Sequence, residues 1–517
     1  MPTRAAIGQS ERIGDGKIVS QTSSLSRWDG FAAVMDKTGA ARWANRALLL
    51  SLALFALTVQ HSIAAGQISL GLGLISWIIR DLAARRFHFA RTPIDRPLLC
   101  FAALTVASAV FSLEPGESLP KLRSLFLFIV VYLVATNLHP RGVRVFAALL
   151  IISGLAGAGY SLMEKVWGRG MIVTAIEAGS PLAASGLQPG DVIWMIARRR
   201  VSSLEDAAQV IRRHRTGETL GIEAIHAGDP LPVDLVVTDE WKARPNPLGL
   251  SVDGRSRRFR VSGFTRHFVT YAEQMQLLTL LVFGSLLVGL KSPRQSRRQL
   301  WLFVCLALFV LFSLTLILTV SRAVIISCLA ALLVVSIIAG GRRAMLAALV
   351  AAMAIGGITF YTLRSSRTLS AMSFADDSSE RRISYMRAGL RVIPQHPLLG
   401  IGMDAHKRHW TELGFPGDYV THTHSTPIQI AMDRGLPALG CYVWLMAAMF
   451  VLTWRGYTRA RQMGDDMFGG LMLGTFAALI GFSASSLVNY NFGDSEMLMV
   501  LLFVIGLMVV ESEGRKE

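Results

Sequence analysis

The sequence predicts a polytopic α-helical membrane protein of about 12 transmembrane helices, with an inserted α+β domain. Of its 517 residues, 52% are apolar and 17% are charged, and the mean hydropathy is +0.45. Soluble domains carry about 25% charged residues, so this chain lacks the charge that a water-exposed surface needs. The same composition excludes an intrinsically disordered chain and a collagen-like fibre.

Apolar runs long enough to cross a bilayer recur along the chain. A hydrocarbon core about 30 Å thick takes about 20 residues in helical form. Twelve runs meet this need, near 44–61, 64–79, 97–112, 124–137, 145–162, 269–290, 300–318, 323–340, 345–362, 435–454, 468–488 and 495–511. Residues 1–43 form a polar tail without a signal-peptide pattern, so we expect the first run to be an uncleaved anchor.

Basic residues divide unevenly between the two sides of the membrane. One set of short loops and both ends hold 25 of the 52 Lys and Arg residues. The opposite short loops hold three, which are Lys121, Arg123 and Arg322. Short loops rich in Lys and Arg stay in the cytoplasm, so both termini are predicted to be cytoplasmic. The remaining 24 lie in two long loops, about 163–268 and 363–434, predicted to face outward. Charge scattered in this way argues against a nucleic-acid partner.

The first long loop has the alternation of a folded domain. Period-2 runs predict strands, and an apolar stripe after a Ser cap predicts a helix. The predicted strands are 171–177, 192–196, 219–226 and 233–237, and the predicted helices are 182–187 and 203–214.

The segments GMIVTAIEAGSPLAASGLQPGDVI and VSSLEDAAQVI resemble a PDZ domain of the bacterial protease-associated type. The resemblance implies a domain at 166–252 that binds a peptide as an added strand, with the peptide carboxylate held by a glycine loop. The best match to that loop comes last in the chain, at Leu248, Gly249 and Leu250. Alternatively, these three residues only return the chain to the membrane. The domain could also serve as a docking spacer.

A PDZ domain beside membrane spans also suggests an intramembrane protease. None of the 11 His residues is followed by Glu, and no Gly-x-Ser-x-Gly segment occurs, so both protease motifs are missing. The four cysteines lie within apolar runs and lack the spacing of a zinc site or a disulfide framework. We therefore expect neither protease activity nor a metal site.

The second long loop, 363–434, carries the residues that favour catalysis. An amphipathic helix is predicted over 379–393, followed by a tight apolar turn at 398–402. Its apolar stripe is Ile383, Met386, Leu390 and Ile393, and its polar face holds Arg382, Arg387 and Arg391. His406, His409, His422 and His424 then precede the next apolar run.

Three segments resemble the O-antigen ligase and polymerase superfamily of membrane glycosyltransferases. They are Ser321-Arg322-Ala323, ERRISYMRAGLRVIPQHPLLGIG at 380–402 and HTHSTPIQIAMDRGLPALG at 422–440. The resemblance covers about 261–454 and implies a GT-C-like fold, with helices 6–12 at 261–511 and helices 1–5 at 44–162. This chain departs from the family pattern at Met386, where Trp is common, and at Ser425, where Asn is common.

The resemblance implies a glycosyltransferase of the bacterial inner membrane that acts on the periplasmic side. It would move a glycan from an undecaprenyl-pyrophosphate donor to a hydroxyl acceptor, without metal or other cofactor. His424 would orient or deprotonate the acceptor hydroxyl, while Arg322 and Arg382 would bind the pyrophosphate. His422, Lys121 and Arg123 would support them. Arginine suits pyrophosphate because it stays charged and binds phosphate oxygens through two N–H groups, and His titrates in the range of a general base.

The acceptor and the role of Glu273 stay open on the sequence. A ligase would use a lipid A core as acceptor and a polymerase a second lipid-linked glycan. The alternative from another class is a non-catalytic membrane scaffold that recruits partners through its PDZ domain. Glu273, inside the sixth span, is either a functional intramembrane carboxylate or an interface residue near Arg266 or His267. Membrane lipids are partners in every case.

Overall fold

The chain is mainly helical, with one small antiparallel sheet between the sixth and ninth helices. The computed structural model describes residues 39–85, 87, 89–226, 229–257, 259–265, 267–291, 298–341, 357, 377–417 and 422–513. The helices are α1 (Gly39–Thr58), α2 (Ile63–Ala84), α3 (Asp95–Val110), α4 (Pro115–Ser118), α5 (Ile129–Asn137), α6 (Pro140–Trp167), α7 (Leu204–Arg212), α8 (Asp239–Ala243), α9 (Phe268–Lys291), α10 (Arg298–Leu318), α11 (Arg322–Val335), α12 (Asp377–Val392), α13 (Thr426–Met463), α14 (Asp466–Ser486) and α15 (Ser495–Glu513). A 3₁₀ stretch, Leu119–Phe128, joins α4 to α5.

Ten helical segments within these ranges are long and apolar enough to cross a membrane, which confirms the predicted polytopic fold. Ten of the twelve predicted runs overlap with them. The run at 97–112 forms α3, a helix of 16 residues, and the run at 345–362 lies outside the described residues. Helices suit these runs because a bilayer core offers no water to pair with exposed backbone groups.

A sheet of six strands follows α6. The strands are β1 (Met171–Ile176), β2 (Val192–Ile196), β3 (Arg199–Arg200), β4 (Thr219–His226), β5 (Asp229–Val236) and β6 (Leu250–Val252). Their order is β5-β4-β2-β1-β6, with β3 paired to β2, and every pairing is antiparallel. The short helix predicted at 182–187 is wrong. That segment is a run of turns, because the Ser180 hydroxyl takes up the Leu182 N–H at 3.0 Å and Gly186, at a φ of +81°, reverses the chain.

Two arginines, the buried Arg169 and the exposed Arg200, fix this sheet on the membrane helices. Arg169, just after α6, donates to both carboxylate oxygens of Glu164 in the last turn of α6, at 2.9 and 2.6 Å. Arg200 of β3 donates to the same carboxylate at 2.9 Å and to the Gly263 carbonyl at 3.0 Å. The Arg169 guanidinium also lies 5.0 Å from the ring centre of Trp194 in β2. One carboxylate therefore joins α6, the sheet and the segment that leads into α9.

A break in α13 is a second constraint on the fold. Gly435 has a φ of +83°, so the helical path is interrupted there. The Leu436 N–H donates to the Pro397 carbonyl at 2.8 Å, outside the helix. Gly435 itself lies against the Leu398 carbonyl, where a side chain would collide. Only glycine meets both the dihedral angle and the close approach.

The turn predicted at 398–402 packs against this break. The N–H groups of Ile401 and Gly402 donate to the carbonyls of Met432 and Asp433, each at 2.9 Å. The Ser108 hydroxyl of α3 adds a second hydrogen bond to the Asp433 carbonyl, at 2.7 Å. Carbonyls left unpaired by the broken helix are thereby satisfied without water. With the break bridged in this way, α13 runs on both sides of Gly435 and starts at Thr426, ahead of the predicted span at 435–454.

Glu164→Ala should loosen the sheet from the membrane helices. The variant leaves two guanidinium groups without their shared counter-charge, and breaking a buried pair in this way costs about 3–5 kcal/mol. We expect faster amide hydrogen exchange at 168–172 and 259–265. Glu205→Ala, which removes an exposed carboxylate of α7, is the matched control and should leave exchange in these segments unchanged. Equal protection in the Glu164 variant and the native chain would contradict this role.

Gly435→Ala should lower the thermal stability of the purified protein. Alanine at a φ of +83° is strained, at a cost of order 1–3 kcal/mol, and its methyl group meets the Leu398 carbonyl. Gly440→Ala is the control on the same helix, because nothing lies within 4 Å of a Cβ added there. The control should keep its Tm or gain slightly from the better helix propensity of alanine. The prediction fails if the two variants melt together.

Candidate functional site

Three histidines and an arginine from separate parts of the chain meet beside the start of α13. His267 precedes α9, Arg382 lies in α12, and His422 and His424 precede α13. The rings of His422 and His424 lie 4.4 Å apart, centre to centre, at 75° to each other. Arg382 and His267 are close enough that their positive charges lower the pKa of both of these histidines. The fold therefore joins two of the predicted family motifs into one cluster.

The segment before α13 holds His424 in an unusual conformation. His424 has a φ of +58°, and its N–H donates to Nδ1 of His422 at 3.2 Å. The next residue but one, Thr426, is anchored from both backbone and side chain, since its N–H and its hydroxyl donate to the Asn489 carbonyl at 3.1 and 3.0 Å. Left-handed residues other than glycine are uncommon and cluster at functional sites. The surrounding contacts hold this one in place.

Burial keeps the histidine pair uncharged. Desolvation, together with the smaller effect of the neighbouring positive charges, lowers the pKa of His422 to about 4 and that of His424 to about 3. Desolvation by the surrounding protein also lowers the pKa of His267, an effect that the Asp494 carboxylate opposes and the Arg382 charge reinforces. Both His422 and His424 are therefore neutral at neutral pH. A neutral imidazole keeps one ring nitrogen able to accept a proton.

Two tyrosines frame the pair. The ring centre of Tyr385, in α12, lies 6.2 Å from that of His424, and the ring centre of Tyr490 lies 5.7 Å from that of His422. Tyr385 is itself held by Trp410, at 5.6 Å between ring centres. Aromatic rings at this distance cover part of each imidazole with apolar surface.

The predicted apolar stripe of α12 is partly wrong. The buried face holds Tyr385, Ala388 and Val392, whereas Ile383 and Leu390 are 45% and 53% exposed. The prediction selected the aliphatic side chains, but the helix turns its tyrosine toward the histidines. Ile383, Leu390 and Arg387 between them are left on the outer face.

Arg322 begins α11 and is half-buried there. Its helix packs on α9, because the amide nitrogen of Gln276 donates to the Val324 carbonyl at 3.2 Å and to the Ser327 hydroxyl at 2.7 Å. Arg382 lies in the cluster, as described. The structure thus places the first turn of α11 against the helix that His267 precedes.

Lys121 and Arg123 lie in the 3₁₀ stretch before α5. Lys121 forms an ion pair with Asp404, which also pairs with Lys407 at 2.8 Å. Arg123 is exposed. Lys121 is therefore ion-paired with the loop that follows the apolar turn at 398–402, and the Asp404 carboxylate partly neutralises its charge.

The sequence patterns assign no role to Thr270, Asn489 and Asp494 near the cluster, and they leave two roles open for Glu273. The Thr270 hydroxyl donates to the Asp494 carboxylate at 2.5 Å, one turn beyond His267. Glu273 is buried, and its carboxylate accepts from the Asn489 amide at 3.5 Å. No motif marks His267, whose one signal is its place directly before a span. Across the described ranges, no group of three or more His, Cys, Asp or Glu side chains is arranged to hold a metal ion.

The glycine loop of the sheet domain is embedded in its core. Leu248 and Leu250 are fully buried, and Gly249, at a φ of +58°, lies against the ring of Trp241 in α8. The Ser180 hydroxyl donates to the Leu248 carbonyl at 2.7 Å, which fixes the loop to the turn after β1.

Comparisons with known proteins agree with both parts of the chain. The O-antigen ligase family matches residues 306–443, and the PDZ domain family matches residues 154–237. A segment of 72 residues is 38% identical to a probable periplasmic serine endoprotease DegP-like of Chlamydia trachomatis, over 14% of this chain and 14% of that protein. A segment of 69 residues is 35% identical to the magnetosome formation protease MamE of Magnetospirillum gryphiswaldense, over 13% of this chain and 9% of that protein.

These relatives are matched over a small part of their length, so their protease activity has no bearing on the rest of this chain. The predicted combination of an O-antigen ligase domain and a PDZ domain is confirmed. Ten helices long enough to span a membrane accompany it among the residues described. The protein is therefore a multi-pass bacterial membrane protein that carries a domain matching the O-antigen ligase family, with a PDZ domain inserted ahead of that domain.

Proposed function

We propose that this protein transfers a glycan from an undecaprenyl-pyrophosphate donor to a hydroxyl acceptor, as an O-antigen ligase does. The observation that carries the proposal is the neutral pair His422 and His424 beside the permanent charge of Arg382, within the O-antigen ligase domain. A base and a cation side by side suit a reaction in which a hydroxyl loses a proton while a pyrophosphate departs.

In the proposed reaction, the acceptor hydroxyl oxygen attacks the anomeric carbon of the donor sugar. A new carbon–oxygen bond forms, and the bond from that carbon to the pyrophosphate oxygen breaks with its electron pair. His424 accepts the hydroxyl proton. Arg382 and Arg322 stabilise the charge that develops on the pyrophosphate, which is the kind of contribution that is usually largest in catalysis.

His422 has a positioning role in this proposal. Its Nδ1 accepts the backbone N–H of His424, which leaves the ring proton of a neutral His422 on Nε2. This hydrogen bond supports the left-handed turn that directs His424. Lys121 and Arg123 would add positive charge at the same side, with Lys121 held by Asp404.

The proposed orientation follows from the division of basic residues. Both termini would lie in the cytoplasm, and the PDZ domain and the loop 363–434 in the periplasm, because the Lys- and Arg-rich short loops lie on the side of the termini. The histidine cluster would then face a donor already carried across the inner membrane. Domain boundaries at 1–43, 44–162, 166–252 and 261–511 belong to the same proposal.

A peptide partner is proposed for the PDZ domain. In the described part of the sheet, β6 lies at one end of the strand order and pairs with β1 alone, so its other edge is available to an added strand. Leu248, Gly249 and Leu250 would receive the terminal carboxylate, and α7 would line the groove.

A polymerase of the same superfamily would use the same cluster on a different acceptor. A lipid A core makes the enzyme a ligase, and a second lipid-linked glycan makes it a polymerase. The length of the glycan made by a deletion strain distinguishes a ligase from a polymerase. If single units are still attached to their final acceptor but longer chains are missing, the protein is not the ligase. Loss of all attached glycan would support it.

His424→Ala should reduce glycan transfer by about 10²–10⁴-fold, the usual contribution of a general base. Transfer is measured on membranes with equal amounts of each variant. His396→Ala is the control, since His396 lies outside the histidine cluster in the turn after α12. Unchanged glycan output in the His424 variant at normal abundance would favour the scaffold role instead.

The pH profile tests the neutral state of the pair. A base whose pKa is lowered to between about 3 and 4 stays unprotonated in mild acid, so kcat/KM should be flat from neutral pH to about pH 5. An ordinary histidine would lose half of its base form near pH 6.5. Arg382→Gln removes a charge that lowers both pKa values, so the acid limb of its profile should move to higher pH. A half-maximal kcat/KM near pH 6.5 in the native enzyme would contradict the assignment.

A further inference from the structure

The outer face of α12 forms a cavity apart from the histidine cluster. While Tyr385 and Ala388 turn inward, the opposite face of the helix lines a space of about 490 Å³. The residues around it are Ser384, Arg387, Leu390, Arg391, Gly414 and Pro416, which we call the outer groove. None of these residues has a part in the proposed transfer reaction.

The outer groove carries two positive charges. Arg391 donates to the Gly414 carbonyl at 3.0 Å, which fixes one wall and occupies one of its five donor groups. Arg387 lies one helical turn earlier, about 6 Å along the helix axis. Among the residues that the structure describes, no carboxylate pairs with either arginine. The nearby Glu412 instead contacts His409 at 2.6 Å. Two exposed guanidiniums in a concave site are suited to phosphate groups.

An exposed apolar strip continues from the groove toward the membrane helices. Leu390 is exposed inside the groove, and Ile383 lies on the same side of α12. Beyond the helix end, Leu398 is 70% exposed, in the turn that hydrogen-bonds to Leu436 of α13 through Pro397. Leu436 is also exposed, on a helix long enough to span the bilayer. Charges above an apolar strip fit an amphiphile at the membrane surface.

We propose that the outer groove binds the phosphate-bearing headgroup of a glycolipid, and that this glycolipid is the acceptor of the transfer reaction. The identity of the acceptor rests on the proposed function. The volume of the groove is in the range of sites for sugar-sized ligands, about 300–1,000 Å³, and exceeds the need of one phosphate. Tyr385, on the inner face of the same helix, lies against His424, so a headgroup in the groove is about one helix diameter, ~10 Å, from the base.

Lipid binding to the detergent-solubilised full chain tests the proposal without turnover. Native mass spectrometry compares diphosphoryl lipid A, lipid A with its phosphates removed, and phosphatidylglycerol. The double variant Arg387→Gln/Arg391→Gln should bind diphosphoryl lipid A at least about tenfold more weakly than the native chain, because each charge-assisted hydrogen bond to a phosphate strengthens binding by about that factor. Arg387→Gln alone, which keeps the contact between Arg391 and Gly414, should show a smaller loss.

Arg408→Gln is the matched control, since Arg408 is an exposed arginine of the same loop that pairs with Glu117. It should bind like the native chain, and the other two lipids should bind equally to all variants. Unchanged affinity of the double variant for diphosphoryl lipid A overturns the site. An equal loss of phosphatidylglycerol overturns the glycolipid and assigns the groove to bulk anionic phospholipid. His424→Ala should bind lipid A normally, so failure of the transfer reaction and failure of the groove are distinguishable.

Discussion

The fold around the histidine cluster depends on how a membrane helix can be broken. In a bilayer, backbone groups freed by a break cannot turn to water, so another part of the protein must supply their partners. Here the turn at 398–402 supplies N–H groups to the carbonyls of Met432 and Asp433, and Gly435 makes the close approach possible. The position of α12, which directly precedes that turn, follows from the same contacts. Arg382 and Tyr385 therefore reach the histidines because α13 is broken.

Local signals in the sequence were enough to predict most of the elements. Apolar length predicted the spans, alternation predicted the strands of the PDZ domain, and an apolar stripe on an amphipathic pattern predicted α12. The sequence did not reveal the start of α13 because its first half contains two charged residues, Asp433 and Arg434. Both are nevertheless buried, at 2% and 5% exposure. An apolar scan places such residues in a loop. The cluster itself was only partly predictable, since His267 has no motif and reaches the other histidines through tertiary packing alone.

The electrostatics of the cluster show why a permanent cation and neutral bases can lie together. A protonated histidine next to Arg382 would add charge to a buried and already positive place, so both histidines release their protons instead. The arginine supplies positive charge at any pH, and the histidines remain free to accept a proton. Desolvation therefore assigns the two roles: the arginine keeps its positive charge, and the histidines stay neutral.

The shared carboxylate of Glu164 changes what the PDZ domain can contribute. A domain on a flexible linker can take many positions. The effective concentration of its bound partner at the membrane surface is then set by the length of the linker. Arg169 and Arg200 replace that linker with a rigid joint directly ahead of the segment that ends in His267. A bound peptide would therefore be presented at one distance and one angle. Geometry, rather than tether length, would decide which partners can reach the transferase surface.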